Sequence, residues 1–223
     1  YQVYPRSYCD SNGDGVGDLP GVTARLDHIA ALGVDALWVS PFFTSPMHDF
    51  GYDVADYCDV DPIFGTLADF DALVERAHAL GLKVLIDQVW SHTAAEHAWF
   101  VESRSSRDNP KADWYVWADD DHRWSEARVI FVDTEPSNWT FDQQRQQYYW
   151  HRFFSHQPDL NFENPAVHEA MYDIVRFWMD MGIDGFRLDA VPYLYEEEGH
   201  NGENHPKTHA FLAQLRAMVD KEY

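Results

Sequence analysis

Cysteine is scarce in this 223-residue chain, with Cys9 and Cys58 the only two. Two thiols make no disulfide framework, which removes the small, disulfide-stapled secreted class and makes a cytoplasmic setting the expectation. Positive charge is scarce as well. Sixteen Lys and Arg stand against 38 Asp and Glu, a formal net charge of −22. Such a chain repels a phosphate backbone, so nucleic acid is excluded as a partner. Long apolar runs are missing: none reaches the roughly 18 residues of a membrane span, and no membrane partner is expected. The opening Tyr1-Gln-Val-Tyr4 reads as a strand rather than a leader. The acidity is spread along the chain and 45 % of residues are hydrophobic, which describes a folded globular protein rather than a disordered acidic segment. What is abundant is aromatic: nine Trp and twelve Tyr help to make 16 % of the chain. Flat rings of this kind suit stacking on sugar faces.

A weak repeat organises the chain. Three segments have a helix that stops at glycine and passes at once into an apolar strand: Leu32-Gly33 to Ser40, Leu80-Gly81 to Asp87, and Met181-Gly182 to Asp189. Glycine suits the left-handed position just past a helix end, and continuous apolar strands suit a parallel sheet covered on both faces. The helices before them carry apolar stripes: Val22, Leu26 and Ile29; Phe70, Leu73, Val74, Ala77 and Leu80; Val167, Met171, Ile174, Val175 and Trp178. Pro20 suits the first turn of one, Thr66 and Asp69 form a capping box on the next, and Asn164-Pro165 opens the third. Repeated βα units indicate an α/β fold.

Gly33 and Gly81 lie 48 residues apart, whereas Gly81 and Gly182 lie 101 apart. About 53 extra residues therefore separate the third strand from the third helix. This insertion is rich in Trp, Tyr, Asp and Pro, has little helical periodicity, and reads as a small irregular subdomain. The reading is the N-terminal half of a (β/α)8 barrel, since the full form needs about 250 residues or more. Residues 1–92 hold βα units 1 and 2 and strand 3, residues 93–163 the insertion, and residues 164–223 helix 3, strand 4 and helix 4. The close on Lys221-Glu222-Tyr223, at the end of a helix with no strand after it, reads as a truncation.

Two places carry chemistry. Asp10, Asn12, Asp14 and Asp18, with the Val16 carbonyl, alternate oxygen donors along a glycine-bearing loop, the pattern a hard cation requires. The twelfth position is Gly21 rather than Glu, so the loop is not an EF-hand. The other place is the ends of the third and fourth strands, which carry Asp87 and Asp189, on the catalytic face of a barrel. Arg187 has the same strand parity as Asp189, and a carboxylate beside a permanently charged Arg stays ionised, as a nucleophile must. A plain buried salt bridge would use the same residue types.

Together these residues resemble the alpha-amylase family of retaining glycoside enzymes, glycoside hydrolase family 13, over essentially the whole chain. Asp87-Gln-Val-Trp-Ser-His92 resembles that family's third-strand motif, Gly185-Phe-Arg187-Leu-Asp189 its nucleophile motif, and Gln157-Pro-Asp-Leu-Asn161 the end of the inserted subdomain. The resemblance implies Asp189 as the nucleophile that forms a covalent glucosyl-enzyme and Arg187 as the residue that orients it. It further implies that His92 and Asp53 bind glucose hydroxyls, that Tyr52 stacks on the ring, that Phe153 and Gln157 line the pocket, and that Asp87 supports by hydrogen bonding. The Asp10–Asp18 loop would hold structural Ca2+ or Mg2+. Where the family usually has Asn, this chain has Ser91, which argues against a second calcium between barrel and insertion. The family's acid, a Glu ending the fifth strand, and a further Asp after the seventh lie on strands this chain does not contain. Glu196, Glu197 and Glu198 are poor substitutes, because they follow the fourth strand. The chain by itself is expected to be inactive.

Arg128 to Trp139, Tyr148 to Pro158 and Val191 to Glu196 resemble the trehalose synthase branch. Asp87 to His92 and Ser103 to Arg107 look more like alpha-glucosidases, with a join near Trp117–Arg123. The expected parent converts maltose to trehalose by intramolecular glucosyl transfer, with maltose, trehalose and short oligosaccharides as its small-molecule partners. A hydrolytic alpha-glucosidase or oligo-1,6-glucosidase is the alternative, and a non-catalytic carbohydrate- or partner-binding module the second.

Overall fold

A computed structural model describes all residues from Tyr1 to Tyr223. In chain order the elements are β1 (Gln2–Val3), α1 (Pro5–Tyr8), α2 (Leu19–Ala24), α3 (Leu26–Ala31), β2 (Ala36–Val39), β3 (Phe43–Thr44), β4 (Asp56–Val60), α4 (Leu67–Ala79), β5 (Lys83–Val89), α5 (Ala98–Ser103), β6 (Trp117–Ala118), β7 (Trp139–Asp142), β8 (Gln147–Trp150), α6 (Pro165–Asp180), β9 (Gly185–Asp189) and α7 (Pro206–Glu222). A single 3-10 turn, Val191–Tyr193, lies between β9 and α7.

Two compact units make up the chain. One comprises Tyr1–Tyr52, Asp56–Gln88 and Ile174–Leu188, and the other Asp53–Ala55, Val89–Asp173 and Asp189–Tyr223. This division differs from the 1–92, 93–163 and 164–223 division read from the sequence. The second unit gathers the insertion with the segment after β9, because their side chains pack on one another. Phe211 meets Trp90 at 5.9 Å and Phe162 at 5.1 Å between ring centroids.

In the first unit a four-stranded sheet runs β1-β2-β5-β9, with β1, β2 and β5 paired in parallel. The glycines that end the preceding helices, Gly33, Gly81 and Gly182, have φ of 76°, 78° and 88°, the left-handed region where a side chain would be strained. The helix starts are capped as the residues dictate. Asp18 accepts from the Gly21 N–H at 2.7 Å, and Asp69 accepts from the Thr66 N–H at 2.8 Å while Thr66 accepts from the Asp69 N–H at 3.3 Å. The stripe Val22, Leu26 and Ile29 spans two short helices rather than one, broken at Arg25 with φ −111° and ψ 6°; all three side chains stay fully buried. Alternation in the strands then decides direction. Leu37, Val39, Val84 and Ile86 are buried, with Phe70, Leu73, Val175 and Trp178 in the same core, while Trp38 and Asp87 have the opposite parity. The antiparallel pair β3–β4 belongs to this unit.

The second unit holds more regular structure than its composition suggests. Strands β6, β8 and β7 form an antiparallel sheet in that order. Its hairpin turn is organised by Asp142, whose Oδ1 accepts from the Gln144 and Arg145 N–H groups at 2.9 and 2.7 Å. Trp124, Trp139 and Trp150 form the core beneath, with ring centroids 5.1 to 5.5 Å apart. Three indoles supply so much apolar area that the segment needs no long amphipathic helix.

Candidate functional site

In the first unit Asp87, near the end of β5, is fully buried at its side chain. Burying a lone carboxylate is costly unless it is paired and hydrogen-bonded, and here it is. Arg187 Nη1 donates to Asp87 Oδ1 at 2.8 Å, Trp38 Nε1 donates to Oδ2 at 3.0 Å, and the Tyr52 hydroxyl reaches Oδ2 at 3.5 Å. The Arg187 guanidinium also lies over the Trp38 ring, 5.0 Å from its centroid. Three of the expected residues (Asp87, Arg187 and Tyr52) are thus brought together, and Trp38 joins them unannounced. Its signal was present only as parity on β2.

The same unit carries the Asp10–Asp18 loop. Asp10 accepts from the Gly15, Gly13 and Asn12 N–H groups at 2.8, 2.6 and 3.0 Å, and these bonds, Gly15's first, hold its carboxyl below the usual range. Asn12 and Asp14 accept from the Asp14 and Val16 N–H groups, and Asp18 from Ser11 and Gly21. No three His, Cys, Asp or Glu side chains converge as a ligand set in this structure. The donors nevertheless fit a hard cation, because an ionised carboxylate has about four lone-pair sites and these bonds leave some of them unused.

In the second unit His92 is buried, with Nδ1 2.8 Å from Ser91 Oγ and its ring 5.3 Å from that of Phe153. Phe153 meets Tyr193 edge-on at 5.7 Å. Asp53 and Gln157 are fully buried. The Ala94 N–H donates to the Val54 carbonyl at 2.8 Å, which ties the Asp53–Ala55 segment beside His92. Gln157 accepts from the Phe154 N–H at 3.3 Å. Asp189 ends β9 and is followed by Ala190 in the left-handed region at φ 49°, which turns the chain sharply away from the strand end.

One constellation here was not expected. Asp159 and Glu196 line one cavity of about 470 Å³ together with Trp117, Trp124, Trp150 and Tyr193. Burial pushes the Glu196 carboxyl up to about 7 and the Asp159 carboxyl well above its usual range. Neither Glu196 oxygen makes a hydrogen bond of normal geometry, and the nearby Trp150 N–H and Arg152 charge only partly offset the burial. Asp159 Oδ1 accepts from the Arg152 N–H at 3.1 Å, and the Arg152 guanidinium stands 3.6 Å from Glu196. Asp159 sits within the Gln157 to Asn161 motif, which was the available sequence signal. Of the other two glutamates, Glu197 pairs with His205 and Glu198 accepts from the Trp124 N–H at 3.3 Å.

The alpha amylase catalytic domain family matches residues 2–223. Trehalose synthase/amylase TreS of Mycolicibacterium smegmatis is 58 % identical over all of this chain, which covers 38 % of that protein. A probable alpha-glucosidase of Rhizobium meliloti is 51 % identical over 99 % of the chain and 45 % of its own length. Among solved structures, the alpha-glucosyl transfer enzyme XgtA superposes with a TM-score of 0.93 at 49 % identity, over 99 % of this chain and 46 % of that one. The chain therefore spans less than half the length of these relatives.

Proposed function

Because this chain belongs to the alpha-amylase family, we propose that it is the N-terminal part of the catalytic domain of a retaining alpha-glucoside enzyme, one that converts maltose to trehalose by intramolecular glucosyl transfer. The observation that carries the reading is Arg187, paired at 2.8 Å with buried Asp87 and placed one strand repeat before Asp189. Arg187 and Asp189 share parity on β9, so both side chains leave one face of the strand. A guanidinium fixed there favours the ionised carboxylate.

Asp189 attacks the anomeric carbon of the non-reducing glucose as the glycosidic bond breaks, giving a beta-linked glucosyl ester. A carboxylic acid outside these residues protonates the leaving oxygen. The released glucose then takes the glucosyl group back through a different hydroxyl, and exclusion of water separates this outcome from hydrolysis. His92 and Asp53 hold hydroxyls, Tyr52 stacks on the sugar ring, and Phe153 and Gln157 line the pocket. The higher identity to trehalose synthase, 58 % against 51 % for the alpha-glucosidase, supports transfer over hydrolysis. Similarity of Asp87 to His92 to alpha-glucosidases favours the hydrolytic reading.

The test is a product assay on maltose with the full-length protein. Trehalose accumulation supports transfer, and glucose as the sole product overturns it. Asp189→Asn must abolish turnover in either case.

The Asp10–Asp18 loop is proposed to hold Ca2+ or Mg2+ as a structural ion. Calorimetric titration of the protein, with Asp10→Asn as control, tests it: equal binding by both forms sinks this site. The chain has no helix long and apolar enough to cross a membrane. The support for a cytoplasmic location is that there are only two cysteines and neither is in a disulfide. Small alpha-glucosides, rather than nucleic acid or membrane, suit a net charge of −22.

A further inference from the structure

Trp38 stands outside every role assigned above, yet two independent features tie it to the reacting strand. Its indole N–H donates to Asp87 Oδ2 at 3.0 Å, the carboxylate whose other oxygen receives Arg187 at 2.8 Å. Its ring also faces the same guanidinium, 5.0 Å from Cζ. A carboxylate with one oxygen held by a cation and the other by a fixed indole cannot rotate about its Cβ–Cγ bond without losing a bond. The ring meanwhile blocks one side of the guanidinium plane and adds cation–π attraction.

We propose that Trp38 is a positioning residue for the reaction: it fixes the Asp87 carboxylate, and through Asp87 the direction in which Arg187 presents its guanidinium on β9, the strand that ends in Asp189. The proposal rests on the reading of Asp189 as nucleophile. Trp38 acts through Asp87 and is assigned no contact with sugar. Its loss therefore lowers kcat and leaves KM nearly unchanged, as expected of a group whose effect is felt in the transition state. A misdirected catalytic group costs roughly tenfold to a hundredfold.

The experiment compares four forms of the full-length protein on maltose: native, Trp38→Phe, Asp87→Asn, and the double variant. A fifth form carries a benzothiophene analogue of tryptophan at position 38, which keeps the bicyclic packing and drops only the N–H. The analogue form retains the fold even if Trp38→Phe does not. The expected result is a roughly tenfold or greater fall in kcat for Trp38→Phe and for the analogue, with KM within about twofold. The double variant should be no worse than Asp87→Asn alone, since both substitutions break one chain of contacts. Unchanged kcat in the analogue form, or effects of Trp38→Phe and Asp87→Asn that multiply, would overturn the proposal. Asp189→Asn is run alongside: if it stays active, the functional reading has failed, and if it is dead while the analogue form is fully active, only the role of Trp38 has.

Discussion

Each unit pairs an arginine with a buried carboxylate, half-exposed Arg187 in one and fully buried Arg152 in the other, and the two are built differently. In the first, Arg187 meets Asp87 at 2.8 Å, an indole N–H takes the other oxygen, and Tyr52 lies within reach. In the second, Arg152 has a fully buried side chain and stands 3.6 Å from both Glu196 and Glu203. Its Nη2 donates to the Asn201 carbonyl at 3.0 Å, while Nε, Nη1 and both Glu196 oxygens make no hydrogen bond of normal geometry. The Coulomb attraction has the same sign in both, but only in the first do both carboxylate oxygens receive hydrogen bonds that offset desolvation. The result is an oriented pair in one unit. In the other, burial outweighs the Arg152 charge and leaves Glu196 titrating near 7. A buried carboxylate orients chemistry when its lone pairs are filled, and becomes a proton-responsive place when they are not.

The contrast is broken most severely by removing Arg187. Arg187→Leu leaves a fully buried Asp87 carboxylate without its cation, and unfolding in urea should show a loss of about 3 kcal/mol. A loss below about 1 kcal/mol would mean that the Asp87 site is wetter than its burial indicates.

Glu196→Gln sharpens the contrast through pH. A carboxyl whose folded value is raised binds its proton more tightly in the native state, so native stability falls as pH rises from the ordinary carboxylate range to about 7. The Gln variant lacks that fall. Relative to the native protein it should gain thermal stability between pH 5 and pH 8, by an amount on the order of 1–3 kcal/mol. Melting curves at the two pH values check this.

The smallest effect is expected at Tyr52. Its hydroxyl contact with Asp87 is 3.5 Å, at the outer limit of a hydrogen bond, so Tyr52→Phe should cost under about 0.5 kcal/mol. A larger cost in the same urea titration would place Tyr52 in the first arrangement as a full member.

Much of this was legible along the chain because it is local. A glycine past a helix end, Thr66 three residues before Asp69, and the shared parity of Arg187 and Asp189 are features of a few consecutive residues. The partnerships were not legible. Trp38 and Asp87 are 49 residues apart, and Arg187 and Asp87 are 100 apart, so no periodicity links them. The antiparallel sheet of the insertion was hidden for a related reason: its strands are two to four residues long, too short for alternation to stand out.

By itself, then, the sequence determined the βα order, the helix caps, the strand ends on which Asp87 and Asp189 sit, and the family whose motifs they match. Each of these depends on backbone preference and on which face a side chain leaves, and both are properties of near neighbours. Tertiary structure alone decided which carboxylate is filled by an arginine and an indole and which is left with empty lone pairs. Burial and hydrogen-bond geometry arise only when distant segments meet, and between two buried acids of the same chemistry they are the whole difference.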